Sequence, residues 1–344
     1  RSSMSLIAAT IDAFEGAPLP DVVRKTAIGL LVANARRQLA AAGPEADAVF
    51  AREMAARPIA EHADAANAQH YEVPAEFFAA CLGPQLKYSC ALYRGPADTL
   101  AEAEEHALRE TAEHAGLADG QRILELGCGW GSLSLWMAAA FPKARITAVS
   151  NSASQRAFIL ARAQERGLGN LEVITCDMNR FEAPGAFDRV VSVEMFEHMA
   201  NWRALLARAR GWLGPDGRLF IHVFTHRTTP YRFDVEDEAD WIARHFFSGG
   251  VMPSHGLIRQ FPDLFEVEAD WRWSGTHYQR TALHWLEQYD RNAAQNRPVL
   301  AQVYGDQATL WHRRWRLFFL ATAGLFGHRG GAEWGVSHYR LKPA

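Results

Sequence analysis

Ile123-Leu124-Glu125-Leu126-Gly127-Cys128-Gly129-Trp130-Gly131-Ser132-Leu133-Ser134-Leu135-Trp136-Met137 decides how the rest of the chain is read. An apolar run stops at three alternate glycines and resumes with helical spacing, which reads as a strand, a tight turn and a helix. Glycine allows positive φ and lets a ligand come close to backbone, and the helix opening near Ser132 offers free N–H groups in its first turn. Such a turn makes a nucleotide site.

Two details argue against NAD. The spacing is G-x-G-x-G rather than G-x-G-x-x-G, and the next strand ends Val149-Ser150-Asn151-Ser152, with no carboxylate for a ribose. Glu125, just before the first glycine, stands where a methyltransferase holds the ammonium end of S-adenosylmethionine. Beyond the third strand, Asp177 is placed to accept from an adenine amino group or, equally, to cap a turn.

A chain of 344 residues can bury a large core and hold one full α/β domain with additions. Its net charge of −3 gives no reason to expect nucleic acid. Lysine occurs only at Lys25, Lys87, Lys143 and Lys342, against abundant arginine and alanine, a bias expected of a GC-rich bacterial genome. Cys81, Cys90, Cys128 and Cys176 show no C-x-x-C spacing, so neither a disulfide framework nor a metal site is expected. The opening Arg1-Ser2-Ser3 reads as an expression remnant rather than a leader, and Leu317–Phe326 is shorter than the roughly 20 apolar residues of a membrane span. A cytoplasmic protein is expected.

Four regions are expected: an N-terminal helical extension (1–69), a nucleotide-binding core (70–224), a lid insertion (225–262) and a C-terminal region completing the core and pocket (263–344). The extension carries two helices broken by Pro18 and Pro20, then a linker or loose helix from Gly43 to Asn67. Arg24, Lys25, Arg36 and Arg37 decorate the helices, as a solvated face or as contacts for acidic lipid. His70 to Tyr93 is an aromatic segment expected to cover the nucleotide, ahead of a helix over 99–115. Strands at 122–127, 144–150, 171–176, 187–193 and 217–224 alternate with helices at 131–141, 153–166 and 202–213, the pattern of a doubly wound parallel sheet. A lid over strand ends holds an acidic run (Asp234, Glu236, Asp237, Glu238, Asp240) and Trp241, Phe246 and Phe247, which are either substrate contacts or lid core. A strand at 265–273, helices at 281–304 and 307–326, and a strand at 334–341 close the chain.

Glu194, Glu197 and His198 fall within Ser192-Val193-Glu194-Met195-Phe196-Glu197-His198-Met199 at the end of the fourth strand. The glutamates are three apart, so a helical turn would put both on one face. An amine that accepts a methyl group arrives as an ammonium and must lose a proton before its lone pair can attack. A carboxylate or imidazole in an apolar pocket can take that proton, and a carboxylate also attracts the cation.

With these motifs the chain resembles the superfamily that joins cyclopropane fatty acid synthases to plant coclaurine-type N-methyltransferases, and is more similar to the second group. The resemblance runs from about Leu19 to the C-terminus through LKYSCALY (86–93), ELGCGWGSLSLW (125–136), SVEMFEHM (192–199), DWIARHFFSGGVMPS (240–254), GTHYQRTALHWL (275–286) and GAEWGVSHYRL (331–341). It implies a class I methyltransferase fold: a Rossmann-like doubly wound sheet with a reversed last strand, an N-terminal helical extension and a substrate lid. It implies cofactor contacts at Tyr88, Ser89, Gly127, Gly129, Ser150, Asn151, Gln155, Asp177 and Met178, beside Glu125. S-adenosylmethionine is the implied cofactor and S-adenosylhomocysteine its product. Glu194, Glu197 and His198 match catalytic residues of the amine enzymes. Cys90, Glu197, His222 and Tyr278 match residues with which the lipid enzymes bind bicarbonate as a base. Lipid enzymes usually carry a small residue at the position of Glu194. Two activities are thus expected in order: N-methylation of a hydrophobic, aromatic or isoquinoline-like amine, with Glu197 and His198 handling the proton and Glu194 steering the cation, then methyl or methylene transfer to an unsaturated fatty acyl chain. Peripheral membrane contact and a homodimer stay open.

Overall fold

The computed structural model describes residues 14–61, 73–233 and 241–344. Residues 1–13 of the first expected helix, residues 62–72 and the acidic run Asp234 to Asp240 lie outside the described residues. In chain order the helices are α1 (Asp21–Ala40), α2 (Ala46–Met54), α3 (Ala75–Ala79), α4 (Leu100–Ala115), α5 (Ser132–Ala140), α6 (Ala153–Glu165), α7 (Trp202–Trp212), α8 (Trp241–His245), α9 (Gly275–Arg291), α10 (Ala293–Tyr304) and α11 (Ala308–Gly327). The strands are β1 (Arg122–Leu126), β2 (Arg145–Ser150), β3 (Leu171–Thr175), β4 (Phe187–Val193), β5 (Leu213–His226), β6 (Tyr231–Arg232), β7 (Val251–Met252), β8 (Phe265–Trp273) and β9 (Trp334–Pro343).

Seven strands form one sheet in the order β3-β2-β1-β4-β5-β9-β8. The first five are parallel, and β9 inserts antiparallel between β5 and β8. Alternation along β1 explains the double winding. Leu124 and Leu126 pack on one face with Leu205 and Leu206 of α7, while Ile123 packs on the other with Leu108 of α4 and Leu133 and Met137 of α5. Side chains alternate across a strand, so both faces of the central strand need helices. Glu125 shares the face of Ile123 and points toward α5.

Local chemistry sets the helix ends. Thr99, Ser152, Asn201 and Ser274 each accept a main-chain N–H of the first turn of α4, α6, α7 and α9. The helix expected from Thr281 instead begins at Gly275 and breaks at Asn292, whose amide reaches Ala80 O at 2.9 Å. Arg24 is a second correction. It is 5% exposed and its guanidinium donates to Ala17 O at 3.1 Å, so it is not part of a solvated basic face. Among the described residues no helix is long and apolar enough to cross a membrane.

Gly131 joins β1's turn to α5 at φ +86°, and a Cβ there would lie 2.7 Å from Ile159 Cγ1 on α6. Gly131→Ala combines a left-handed strain with overpacking, so it should cost about 2–4 kcal/mol in urea unfolding. A loss below about 0.5 kcal/mol would contradict this account of the turn.

Candidate active site

The carboxyl ends of β1 to β4 frame a cleft lined by Gly127, Cys128, Gly129, Ser150, Asn151, Gln155, Asp177, Met178 and His198. Gly127 is pressed from behind, since a Cβ there would lie 2.6 Å from Met195 Cγ. Gly129 has φ +53° and nothing within 4 Å of where a Cβ would stand, which leaves its backbone open to a ligand. Ser150 Oγ donates to Gln155 Oε1 at 2.8 Å and so fixes the amide at the rim. Asp177 Oδ1 accepts from Asn179 N at 2.9 Å, so the turn-capping role is real and coexists with its place in the cleft.

A smaller compartment continues under the glycine turn, lined by Tyr88, Ser89, Glu125, Gly127 and Ser132. Glu125 is 2% exposed and accepts from the Ser134 hydroxyl. Burial pushes its carboxyl up to about 7, against the Ser134 hydrogen bond. A carboxylate awaiting a cation, an open glycine backbone and a polar rim fit S-adenosylmethionine. The segment expected to be a linker contributes too. Ala60 is bracketed by the Asn179 amide at 2.8 and 3.1 Å, and Ala60 and Glu61 line the cleft. Its composition of alanines and charges gave no sign of this docking, which is made by main-chain groups.

Gly127, Gly129, Gln155, Met195 and His198 line both the cofactor cleft and a second, larger cavity. That cavity is walled by Tyr88, Trp130, Phe224, Phe233, Ile242, Phe247, Met252, Tyr278, Trp285, Phe318 and Phe326, with Glu194 as its carboxylate. Of the three aromatics considered as substrate contacts, only Phe247 lines it. Phe247 stacks on His198 with ring centres 4.2 Å apart. Trp241 and Phe246 turn into the lid core: the Trp241 indole donates to Glu15, and Phe246 stacks on Phe318 at 4.4 Å. Phe246 and Phe247 fall in the turn that follows α8 and point in different directions, which sequence order does not reveal.

Glu194 closes β4 at φ +51°, and a 3₁₀ turn, Phe196–His198, follows. The two glutamates are therefore not on one helical face. Glu194 Oε2 accepts from Cys90 N at 2.7 Å and from His222 Nε2 at 2.9 Å, and Oε1 accepts from the Tyr278 hydroxyl at 2.5 Å. Burial opposes its charge, but the bonds from His222 and Tyr278 and the nearby Lys87 ammonium win and hold the carboxyl below its usual range. Glu197, 0% exposed, accepts from Phe224 N at 2.9 Å. Burial, then the Glu194 charge, push its carboxyl above the usual range, which favours the neutral acid. Three groups matched to bicarbonate binding, Cys90, His222 and Tyr278, thus spend their donors on Glu194. A bicarbonate does not fit beside them.

A sheet of this order, with a buried acid beside its glycine turn and an aromatic cavity opening onto the same cleft, defines an S-adenosylmethionine-dependent methyltransferase. The family model described as mycolic acid cyclopropane synthetase matches residues 60–330, and the chain belongs to that family. It is 36% identical over 289 residues to (S)-coclaurine N-methyltransferase of Thalictrum flavum subsp. glaucum, covering 83% of this chain and 80% of that protein. It is 32% identical over 270 residues to cyclopropane-fatty-acyl-phospholipid synthase of Escherichia coli K12, covering 78% and 66%. A crystal structure of coclaurine N-methyltransferase bound to N-methylheliamine and SAH matches with a TM-score of 0.88 and 30% identity over 99% of both chains.

Glu125 supplies a test of the cofactor assignment. A bound ammonium favours its ionised form, so cofactor affinity should rise with pH up to about 7 and fall by up to about tenfold per unit below. Calorimetric titration with S-adenosylmethionine across that range checks it. Glu125→Gln should flatten the profile; an unchanged slope in that variant would remove Glu125 from the binding step.

Proposed function

We propose that the enzyme N-methylates a hydrophobic, aromatic amine of isoquinoline-like shape. The observation that carries this reading is the Glu194 carboxylate, held ionised by Cys90, His222 and Tyr278 at the wall of an aromatic cavity. A planar ammonium entering that cavity meets aromatic faces on several sides and one negative charge.

S-adenosylmethionine, when bound, supplies the methyl group on a sulfonium. Glu194 attracts the ammonium and takes its proton, which frees the nitrogen lone pair for attack; the C–S electron pair stays on sulfur. The Tyr278 and His222 donors limit the basicity of Glu194, so the proton is not trapped there. His198, fixed against Phe247, lies where cleft and cavity meet and orients the acceptor toward the cofactor. Burial and the Glu194 charge disfavour the ionised form Glu197 would need as a base, so we assign the proton to Glu194 rather than Glu197. The named relatives support the amine reading by analogy, and alanine- and arginine-rich composition supports a bacterial source. Transfer to an unsaturated acyl chain, the alternative, lacks the carbonate base that its chemistry uses, because Glu194 occupies the donors.

Purified enzyme should form S-adenosylhomocysteine with benzylisoquinoline or phenethyl amines, and not with unsaturated phospholipid vesicles. Glu194→Gln should lower amine turnover at least about 10²-fold with cofactor affinity retained. Removing bicarbonate from the buffer should leave the rate unchanged. Turnover on vesicles alone, or full amine turnover by Glu194→Gln, would overturn the reading.

A further inference from the structure

Glu194 rests on His222, and His222 is the inner end of a file of three imidazoles. His222 on β5 and His338 on β9 are directly opposed cross-strand partners, so their side chains share one face of the sheet. Trp271 on β8 is opposed to His338 in turn, and α4 covers this face with His114. His338 Nε2 lies 2.9 Å from His222 Nδ1, and His338 Nδ1 lies 2.8 Å from His114 Nδ1. His114 Nε2 faces Glu110 Oε1 at 3.5 Å, where the Glu110 side chain is 25% exposed. Every ring uses both of its nitrogens. His114 is stacked flat on Trp271 at 3.8 Å, and Trp273 and Phe220 flank His338 at 4.3 and 5.0 Å, so the rings are walled and cannot turn freely.

With Glu194 ionised and the three rings neutral, the bonds fix the order of the protons. Ionised Glu194 can only accept, so His222 Nε2 carries the hydrogen. A neutral His222 then accepts at Nδ1, which requires His338 Nε2–H. His338 therefore accepts at Nδ1, which requires His114 Nδ1–H; His114 Nε2 is then an acceptor, and Glu110 donates to it only when the acid carries its proton. Burial lowers the pKa of His222, His338 and His114, the last to about 4, in keeping with three neutral rings.

We propose that His338 and His114 are positioning residues for methyl transfer: by donating in sequence they polarise His222 and commit its Nε2–H to Glu194. Hydrogen bonds in such a chain strengthen one another, so the outermost ring contributes to the charge on a carboxylate it never touches. Their role rests on the reading of Glu194 as the base. Other charges and dipoles bear on the same groups. Lys87 Nζ, which donates to Ser89 Oγ and Cys90 O, faces Glu194, His222 and His338. Tyr278 of α9 and Glu197 of the 3₁₀ turn face Glu194. Arg340 of β9 faces His114, and Arg94, Glu113 and Trp273 face Glu110.

The pH profile of kcat/KM with an amine substrate tests this, in His338→Leu, His338→Gln and His114→Leu. Leucine removes the donor, so the acid limb should move to higher pH by about half to one unit and kcat/KM on that limb should fall about three- to tenfold, with cofactor affinity unchanged. Glutamine can donate to His222 and accept from His114, so it should restore the wild-type limb. An unmoved limb in both leucine variants overturns the proposal. So does a glutamine variant as impaired as leucine, which would mean that protons travel along the file. Should His338→Leu fail to fold, His114→Leu and His338→Gln carry the comparison. Ring ¹⁵N spectra of histidine-labelled enzyme give a reading independent of turnover: Nε2–H at His222 and His338 and Nδ1–H at His114 are expected, and any other pattern overturns the order. A wild type inactive on amines but showing that pattern would sink the amine reading alone.

Discussion

A carboxylate kept ionised in an apolar wall is the constraint on which the site depends. Moving Glu194, whose side chain is 8% exposed, out of water costs several kcal/mol. Three donors, at about 1.5–3 kcal/mol for each bond to a charged group, and the nearby Lys87 oppose that cost. They come from three separate parts of the chain: a loop before α4, strand β5 and helix α9. Left-handed backbone at Glu194 costs a further ~1–3 kcal/mol and aims the side chain at all three. The sheet edge, the loop and the C-terminal helices are thereby tied to one another at the reacting centre.

The loop bearing Cys90 shows how far that tie extends. Its main chain is pinned by Glu104 of α4, a buried acid that accepts from Gln85 N at 3.0 Å and Lys87 N at 3.1 Å. Gly83 must lack a side chain, because a Cβ there would lie 2.3 Å from Glu104 Oε1. Lys87 then turns inward, 2% exposed, and braces Ser89 and Cys90 O. One buried carboxyl and one buried amine hold the loop so that Cys90 N–H meets Glu194. The thiol is incidental to this: what reaches the carboxylate is the peptide N–H.

The same distinction between side chain and backbone separates what was legible in the sequence from what was not. Strand–helix alternation from Arg122 to Phe224 reflects burial on both faces of a sheet, and that leaves a strong pattern; so does the glycine turn. Glu194, Glu197 and His198 stood out as charges at the end of an apolar strand. Their division of labour did not, because it depends on which oxygen meets which donor some 28 to 104 residues away. The docking of Ala60 by Asn179 is made by main chain on one side and leaves no signature in residue type. His338 lay inside a quoted motif, yet its partners sit on β5 and α4, and only the antiparallel insertion of β9 brings it opposite His222. Phe246 and Phe247 differ by one position and serve different sides of the lid, since the chain turns there after the end of α8.

One cradle can serve two chemistries according to what fills it. Donors from Cys90, His222 and Tyr278 suit any small planar anion. If that anion is free, it can leave, exchange with solvent and act as a mobile base near an apolar chain. If it is the end of a side chain, it is covalently anchored, always present, and its charge is fixed relative to the cavity. A cationic acceptor gains from a fixed charge, because attraction and deprotonation then occur at one place. An uncharged acyl chain gains nothing from it and loses the room that a free base would take. In the amine reading proposed above, Glu194 therefore does more than add a carboxylate to the site: by satisfying the donors from within the chain it selects the charge of the acceptor.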